Sequence, residues 1–482
     1  MLAGAALQVF HDLMRFVLNE RYSLCGYLRL PFALYDRESG RTNFFDRGQF
    51  ELLFSCSGKK EIDPQTLSDA QRSFLETLQR EGIIREAQDG ETRDLTYKAY
   101  KNIYKNDVQW SVTGACNYRC KHCFQSAAYG LLGSPSTEEC LDIVRQLDEC
   151  GIRNVAVTGG EALIRPDLFD IFDEMTRRGI HLTTIYSNGK LITPALLDAL
   201  EARGLHPAFQ LSFDGVGFHD WMRGVDGAEQ IALDAFRLLR ERGNPASAAT
   251  CLCRENLGSI RETVKTLAEV GCTSLKFQRT MPQGEWKNQP EHFLSYEETL
   301  QAYLDYLPQY KADGCPLDIQ MEGFFAYTAD AGWHLPCRRG AKNEQALGKL
   351  PPCGVIHTSL YIGPNGAVVP CMSMCGGAIE KQFPNLHDTP LCDILTDSSY
   401  TELTGKRVAY LQSTKPECVC CERKLDCCGG CRAFAVGDGG EDYFAIDPVT
   451  CLILKEGWDY KAEALARELF PLQDNSEQEA RC

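Results

Sequence analysis

Between residues 107 and 314 a short apolar strand, a loop and an amphipathic helix follow one another six times, and no other feature restricts the fold as much. "DVQWSV" alternates Val108, Trp110 and Val112. After it come "NVAVTGG", "HLTTIYSNG", "PAFQLSFDG", "SAATCLCREN" and "SLKFQRTMPQG". The segments between them have helical periodicity. In "STEECLDIVRQLDECG", Ser136 and Glu139 form a capping box, and Cys140, Ile143, Val144 and Leu147 share one face. Such alternation implies parallel strands joined by right-handed crossovers. Six units are too few for a closed eight-unit barrel. The expectation is therefore an α/β fold, a partial (β/α)6 TIM-like barrel with its site at the C-terminal ends of the strands.

The flanks differ from this core. "LPFALYDRESGRTNFF" reads as a hairpin around Glu38, Ser39 and Gly40. Helices are expected near "RGQFELLFSC" and "TLSDAQRSFLETLQREG", then a strand in "IIREA". This is the pattern of a small winged-helix-like module, with "TYKAYKNIYKN" as its connection to the barrel. The expected boundaries are 1–100 for the module, 101–314 for the barrel, 315–352 for a bridge, 353–455 for a cysteine-rich domain and 456–482 for a terminal helix and tail, of which "DNSEQEARC" reads as disordered. A chain of 482 residues has room for about three domains. The first residues, "MLAGAALQVFHDLMRFVLNERYSL", carry His11, Asp12, Arg15, Glu20 and Arg21 and read as an amphipathic helix, not a signal peptide. No run approaches the roughly 20 apolar residues of a membrane span. A net charge of −16 argues against a nucleic-acid surface. The expectation is a cytoplasmic protein with neither membrane nor nucleic acid as partner.

In a reducing compartment clustered cysteine points to metal or catalysis. Of 24 cysteines, only Cys25 and Cys56 precede residue 116. Cys116, Cys120 and Cys123 then follow the first barrel strand with the spacing C-x3-C-x2-C. Three thiolates on one loop can each hold one iron of a 4Fe–4S cluster and leave the fourth iron open, whereas zinc with one further ligand would make a closed tetrahedron. "TGGEAL" ends the second strand, "YSNG" the third and "LSFDG" the fourth, followed by "HDWMRG". The triplet and these loops, each after its own strand, resemble the radical S-adenosylmethionine (SAM) enzymes. The resemblance implies that the open iron binds SAM and that one electron from the cluster generates a 5′-deoxyadenosyl radical. It implies cofactor contacts from Gly159, Gly160 and Glu161, from Ser187 and Asn188 at the ribose, and from Ser212 and Arg223 at the carboxylate. His122 fills the place of the family's aromatic residue before the third cysteine.

A second cysteine region has the pattern C-x12-G-x4-C from Cys353 through Gly366 to Cys371, then C-x2-C-x5-C-x3-C over Cys418, Cys421, Cys427 and Cys431, then Cys451. It resembles the SPASM extension of radical SAM enzymes. That implies two auxiliary 4Fe–4S clusters and three in all. Cys353, Cys371 and Cys431 would share one with Cys337, for which Cys375 is a rival. Cys418, Cys421, Cys427 and Cys451 would hold the other. Cys420 and Cys428 sit beside proposed ligands, and a pair of four-cysteine zinc sites is the alternative. Cys140 and Cys150 read as core residues. Cys251 and Cys253 read as core as well, or one of them as a hydrogen donor facing the barrel interior.

SPASM enzymes mostly modify peptides or proteins, and the N-terminal module resembles the RiPP recognition element, which binds the leader of a ribosomal precursor peptide along a strand edge. The expected activity is that of a peptide maturase forming a thioether or carbon–carbon crosslink, with a ferredoxin or flavodoxin as reductant. Epimerisation is one alternative. Formylglycine formation of the sulfatase-maturing type is another, although "CMSMCGG" lacks the acid which that family has there. A non-catalytic iron–sulfur or zinc scaffold is the third. No catalytic residue is assigned: Glu322, Asp214 and His334 have no motif behind them.

Overall fold

The computed structural model describes residues 13–437 and 439–471. Its contacts define two units, one built on residues up to Asn106 with Leu147–Arg153, the other on Asp107–Gln146 and from Asn154 onward.

The first unit runs β1 (Met14–Leu18), β2 (Tyr22–Tyr27), β3 (Leu30–Asp36), β4 (Thr42–Phe44), α1 (Arg47–Ser55), β5 (Ser57–Ile62), α2 (Asp69–Arg80), β6 (Ile84–Glu86) and β7 (Tyr97–Ala99). Two small sheets result, ordered β5-β1-β6 and β4-β3-β2-β7. Asp46 with Gln49 and Ser68 with Gln71 form capping boxes that fix where the helices begin. Gly40, at φ +68°, lets the chain reverse between β3 and β4. The expected hairpin, both helices and the strand at "IIREA" are present.

The amphipathic helix expected at the start is not, over the residues that can be seen. Met14–Leu18 is a strand, paired on both sides by β5 and β6. Phe16, Val17 and Leu18 are consecutive and all buried, as a central strand permits and a one-sided helix does not. Residues 1–12, and the tail "DNSEQEARC", lie outside the described residues.

The second unit holds β8 (Asp107–Ser111), α3 (Thr137–Glu149) up to Gln146, β9 (Asn154–Thr158), α4 (Leu168–Arg177), β10 (His181–Ser187), α5 (Pro194–Glu201), β11 (Ala208–Ser212), α6 (His219–Arg223), α7 (Ala228–Glu241), β12 (Ala246–Leu252), α8 (Ile260–Glu269), β13 (Ser274–Arg279), α9 (Tyr296–Ala312), β14 (Asp318–Met321), β15 (Phe325–Thr328), β16 (Gly332–His334), β17 (Ser359–Ile362) and β18 (Val368–Val369). They form one sheet ordered β16-β15-β14-β13-β12-β11-β10-β9-β8-β17-β18. The six expected strands are consecutive neighbours and parallel. Two more parallel strands flank them: β14 beside β13, past residue 314, and β17 beside β8. Each is four residues long, too short for alternation to mark it in the sequence. Among the described residues no helix is long and apolar enough to cross a membrane.

One face of this sheet is apolar. Val157, Ile185, Phe209, Leu211, Ala248, Leu275, Phe277 and Met321 are all buried, and Phe277 meets Tyr303 and Tyr306 of α9. The alternate positions face away from the helices and are mostly polar and half-buried: Tyr186, Gln210, Ser212, Cys251, Lys276, Gln278 and Glu322. A closed barrel of this type fills its inside with branched apolar side chains. The inner face here is built to be wetted or occupied.

Candidate active site and cysteine-rich centres

The loop after β8 carries the cysteine triplet and is fastened by backbone pairing to the loop after β9. Gly160 N donates to Thr113 O (2.8 Å) and Glu161 N to Ala115 O (2.9 Å). A Cβ on Gly160 would stand 2.2 Å from Ala115 O, and one on Gly159 2.8 Å from Thr113 O. The two glycines are therefore required for the approach of the strand to the residues just before Cys116. Tyr118 N donates to Cys116 Sγ (3.4 Å) and Ala127 N to Cys123 Sγ (3.3 Å), so backbone dipoles point at two of the three sulfurs.

Glu161 is buried and joins the second and third loops. Its carboxylate accepts from Ser187 Oγ (3.1 and 3.2 Å), Asn188 N (2.8 Å) and Leu163 N (3.2 Å). Burial pushes its pKa up to about 7 against the pull of these donors. Ser187 Oγ also accepts from Gly189 N, while the Asn188 amide bonds Asn117 Oδ1 and receives Lys190 N. Glu161, Ser187 and Asn188 are thus brought together, with their side chains tying three loops. Ser212 ends β11 on the inner face.

Behind the triplet stands a buried polar network. Arg223 Nε lies 2.7 Å from Asp214 Oδ2, and Arg223 Nη1 lies 3.7 Å from Cys120 Sγ. Burial works against the guanidinium charge, but Asp214, Cys120 and Cys251 outweigh it and hold the pKa above the usual arginine value. Asp214 has no exposure and accepts from Cys251 N (3.0 Å) at its other oxygen. His219 Nδ1 accepts from Asp214 N (2.9 Å), with its ring stacked on Phe213. His122 Nε2 is 3.9 Å from Asp214 Oδ2, and its Nδ1 is buried without a partner. Burial takes the His122 pKa down to about 4, so it is neutral at pH 7. Asn256 Nδ2 donates to Asp214 O (2.6 Å) and to Cys251 O (2.8 Å), locking the fourth loop to the fifth strand. Asp214 and His219 lie in the stretches that singled out Ser212 and Arg223. No motif distinguished them there: Asp214 matters through Cys251, Asn256 and His122 on other strands and loops, and His219 through Asp214 in its own loop.

In the second region Cys418, Cys421, Cys427 and Cys451 all line one pocket, with Arg423, Asp447 and Lys455 around it. Cys420 is exposed, and Cys428 is buried in an apolar cluster with Leu347 and Val408. The neighbours of Cys421 and Cys427 are therefore turned elsewhere. Cys353, Cys371 and Cys431 form a second group around Tyr443, whose hydroxyl is held above the usual phenol range by burial first and by the nearness of all three sulfurs after it. Cys337 Sγ faces Phe324 O (3.8 Å) beside Asp459, and Cys375 faces Glu380. Buried Asp447 stands between the two groups. Its oxygens accept from Cys431 N (2.8 Å), Thr450 Oγ1 (2.6 Å), Val449 N (2.9 Å) and Thr450 N (3.3 Å).

Residues 110–267 match the family model of the Radical SAM superfamily, and residues 353–428 match SPASM, the iron–sulfur cluster-binding domain. The chain is a radical SAM enzyme with a SPASM domain. It is similar to the AdoMet-dependent heme synthase of Nitratidesulfovibrio vulgaris, 27% identical over 71% of this chain and 91% of that protein. It is also similar to the mycofactocin maturase MftC of Mycobacterium ulcerans, 27% identical over 68% and 82%. The crystal structure of Streptococcus suis SuiB bound to precursor peptide SuiA shares the fold, with a TM-score of 0.62 and 16% identity over 90% of this chain and 99% of that one.

The cofactors of a radical SAM enzyme with a SPASM domain are SAM and iron–sulfur clusters, and the residues present suit them. Each centre has soft thiol donors. The triplet adds a buried cation at one sulfur and a histidine nitrogen without a protein partner. Among the described residues only His122, Asp214 and Cys251 bring ligand atoms all within 4.8 Å of one another. Cys431 and Cys451 lie beyond the SPASM match and are joined to it by geometry alone.

Proposed function

We propose that this radical SAM enzyme matures a ribosomal precursor peptide by oxidation, forming a thioether or carbon–carbon crosslink. When bound, the SAM and its cluster supply a 5′-deoxyadenosyl radical, which takes a hydrogen atom from a residue of the peptide. Cys116, Cys120 and Cys123 hold that cluster. Arg223 and Ser212 orient the SAM carboxylate, Gly159, Gly160 and Glu161 shape the loop that meets its ammonium group, with Glu161 holding that loop to Ser187 and Asn188, Ser187 and Asn188 support the ribose edge, and His122 stands at the adenosine side. Two auxiliary clusters make three in all, one on Cys418, Cys421, Cys427 and Cys451, the other on Cys353, Cys371 and Cys431 with Cys337 or Cys375. A ferredoxin- or flavodoxin-like protein supplies the electron.

The observation that carries this reading is the four-cysteine pocket with its neighbouring three-cysteine group. Oxidation needs somewhere for the second electron to go, and epimerisation does not. A peptide substrate is supported by the names of MftC and of the SuiA-bound SuiB structure. The likeness to SuiB spans 90% of this chain and so takes in part of the first unit. We read that unit, residues 1–100, as a leader-binding module offering a strand edge. The heme synthase relatives perform a different reaction, and their match covers 71% of this chain.

The test is anaerobic. The reconstituted, reduced protein is given SAM and a synthetic precursor peptide encoded beside its gene. 5′-Deoxyadenosine with a peptide lighter by two hydrogens is the expected result. Unchanged mass with deuterium uptake at an α-carbon would replace crosslinking by epimerisation, and absence of 5′-deoxyadenosine would remove the proposal.

A further inference from the structure

A crosslinking oxidation releases one hydrogen atom, one electron and one proton. The first two have destinations in the reading above, which this inference presupposes. The proton needs a base inside the barrel, between the cysteine triplet and the auxiliary cysteines.

Three of the carboxylates around these centres are already engaged. Glu161 accepts four hydrogen bonds. Asp447 also accepts four. Asp214 is buried against Arg223 and accepts from Cys251 N. His334, on the β15–β16 hairpin, is exposed.

Glu322 differs from all of these. It follows the last residue of β14, and the register Phe277↔Met321 and Cys251↔Gln278 puts it level with Gln278 and Cys251. Phe277 and Met321 are buried on the helix side, so the alternating positions Gln278 and Glu322 take the inner face with Cys251. Its carboxylate has one backbone donor, Arg279 N at 3.2 Å, and one cation, Lys276 Nζ at 3.4 Å, and the side chain is 22% exposed. Two oxygens with one donor and one loose ion pair retain free lone pairs. Burial chiefly holds the Cys251 and Cys431 thiols above the usual value, and Glu322 lies near enough to both to add to it. Lys276 is likewise within reach of Cys371 and Tyr186.

We propose that Glu322 is the proton acceptor of the oxidation, with Lys276 as its positioning residue. The substrate C–H hydrogen leaves on 5′-deoxyadenosine. The S–H or C–H proton of the second reacting group passes to a Glu322 oxygen as the new bond forms. The remaining electron goes to an iron–sulfur acceptor among the auxiliary cysteines. Two hydrogens leave the peptide, one as an atom and one as a proton.

The experiment uses E322Q holoenzyme with the same synthetic precursor peptide. SAM cleavage to 5′-deoxyadenosine and peptide affinity, read by fluorescence anisotropy, should stay within twofold of wild type. The peptide lighter by two hydrogens should fall at least about tenfold. Wild-type yield from E322Q overturns the inference and leaves the proposed function standing, whereas a wild-type enzyme that never yields that peptide takes both down. If E322Q fails to retain iron, E322D is read instead, because it keeps the charge but draws it back by one methylene. Product formation slowed about threefold or more with SAM cleavage intact supports the role, and an unchanged rate overturns it. A Lys276→Met variant that slows product without changing peptide affinity supports positioning, and one that weakens binding in proportion overturns that part.

Discussion

The two cysteine-bearing regions of the second unit are built in opposite ways. The triplet sits on a loop between neighbouring parallel strands, with an interlocked set of side chains at its back. The SPASM cysteines sit on turns and very short helices: Cys353, Cys371 and Cys431 each stand at the start of one, and the helices at Pro416–Val419 and Lys424–Cys427 have four residues each. Helices of that length do not persist by themselves. The first centre is therefore a guest of a fold that stands without it, and the second is part of what holds its own region together.

The comparison breaks most visibly if the metal is removed. Cys116→Ala, Cys120→Ala or Cys123→Ala is expected to abolish SAM cleavage while leaving the thermal transition of the barrel in place, as circular dichroism would register. A Cys418→Ala/Cys451→Ala variant should lose about four irons per chain and become protease-sensitive around residues 416–451, because a structural metal site contributes folding free energy directly. Equal protease resistance with and without those ligands would erase the contrast.

Arg223→Ala sharpens it at the level of binding. Loss of the charge-assisted contact proposed between Arg223 and the SAM carboxylate predicts about 10–100-fold weaker SAM affinity by calorimetry. Arg223→Lys should recover only part of that, since an ammonium lacks the fork that engages both oxygens.

A smaller effect tests the rigidity of the loop frame. Arg165 donates to Val112 O (2.7 Å) and Pro135 O (2.8 Å), at the two ends of the cysteine loop, and pairs with Asp167 (2.5 Å). The Arg165 guanidinium, with Thr137, holds the Asp167 carboxyl down to about 2. A depressed carboxylate contributes stability that is present above its unfolded value near 4 and is lost as pH falls through about 2. Asp167→Asn should cost about 2 kcal/mol at pH 7 and remove that acid-dependent step from denaturant unfolding. Smallest of all, Cys420→Ser should change stability by less than about 0.5 kcal/mol, because the thiol is exposed and outside both groups.

Much of the barrel was legible because its signals are local. "DVQWSV" alternates, α3 announces its start through Ser136 and Glu139, and the pair appears in the structure with Ser136 N 2.7 Å from Glu139 Oε2. β14 and β17 escaped because four residues carry too little pattern. Met14–Leu18 was misread because a doubly flanked strand and a buried helix segment both show a continuous apolar run. Of the candidate site, the triplet was marked by its spacing and Arg223 by the resemblance of "HDWMRG" to the family. Asp214 was noted without a motif, and His219 and Lys276 were not marked at all: Asp214 meets Cys251 and Asn256 from the next strand and loop, His219 matters through Asp214, and Lys276 through Glu322 beyond the neighbouring strand.

The chain by itself determined that thiols would gather at particular loops after strands, because spacing along the backbone and periodicity within an element are covalent and local. Only the tertiary structure decided which thiols meet. It turned Cys421 and Cys427 into one pocket and Cys420 and Cys428 away from it. It also set Asp214 against Cys251 and Asn256 and left Glu322 with unfilled lone pairs on a polar inner face. Those outcomes depend on register between strands and on burial, and both exist only once distant segments have packed.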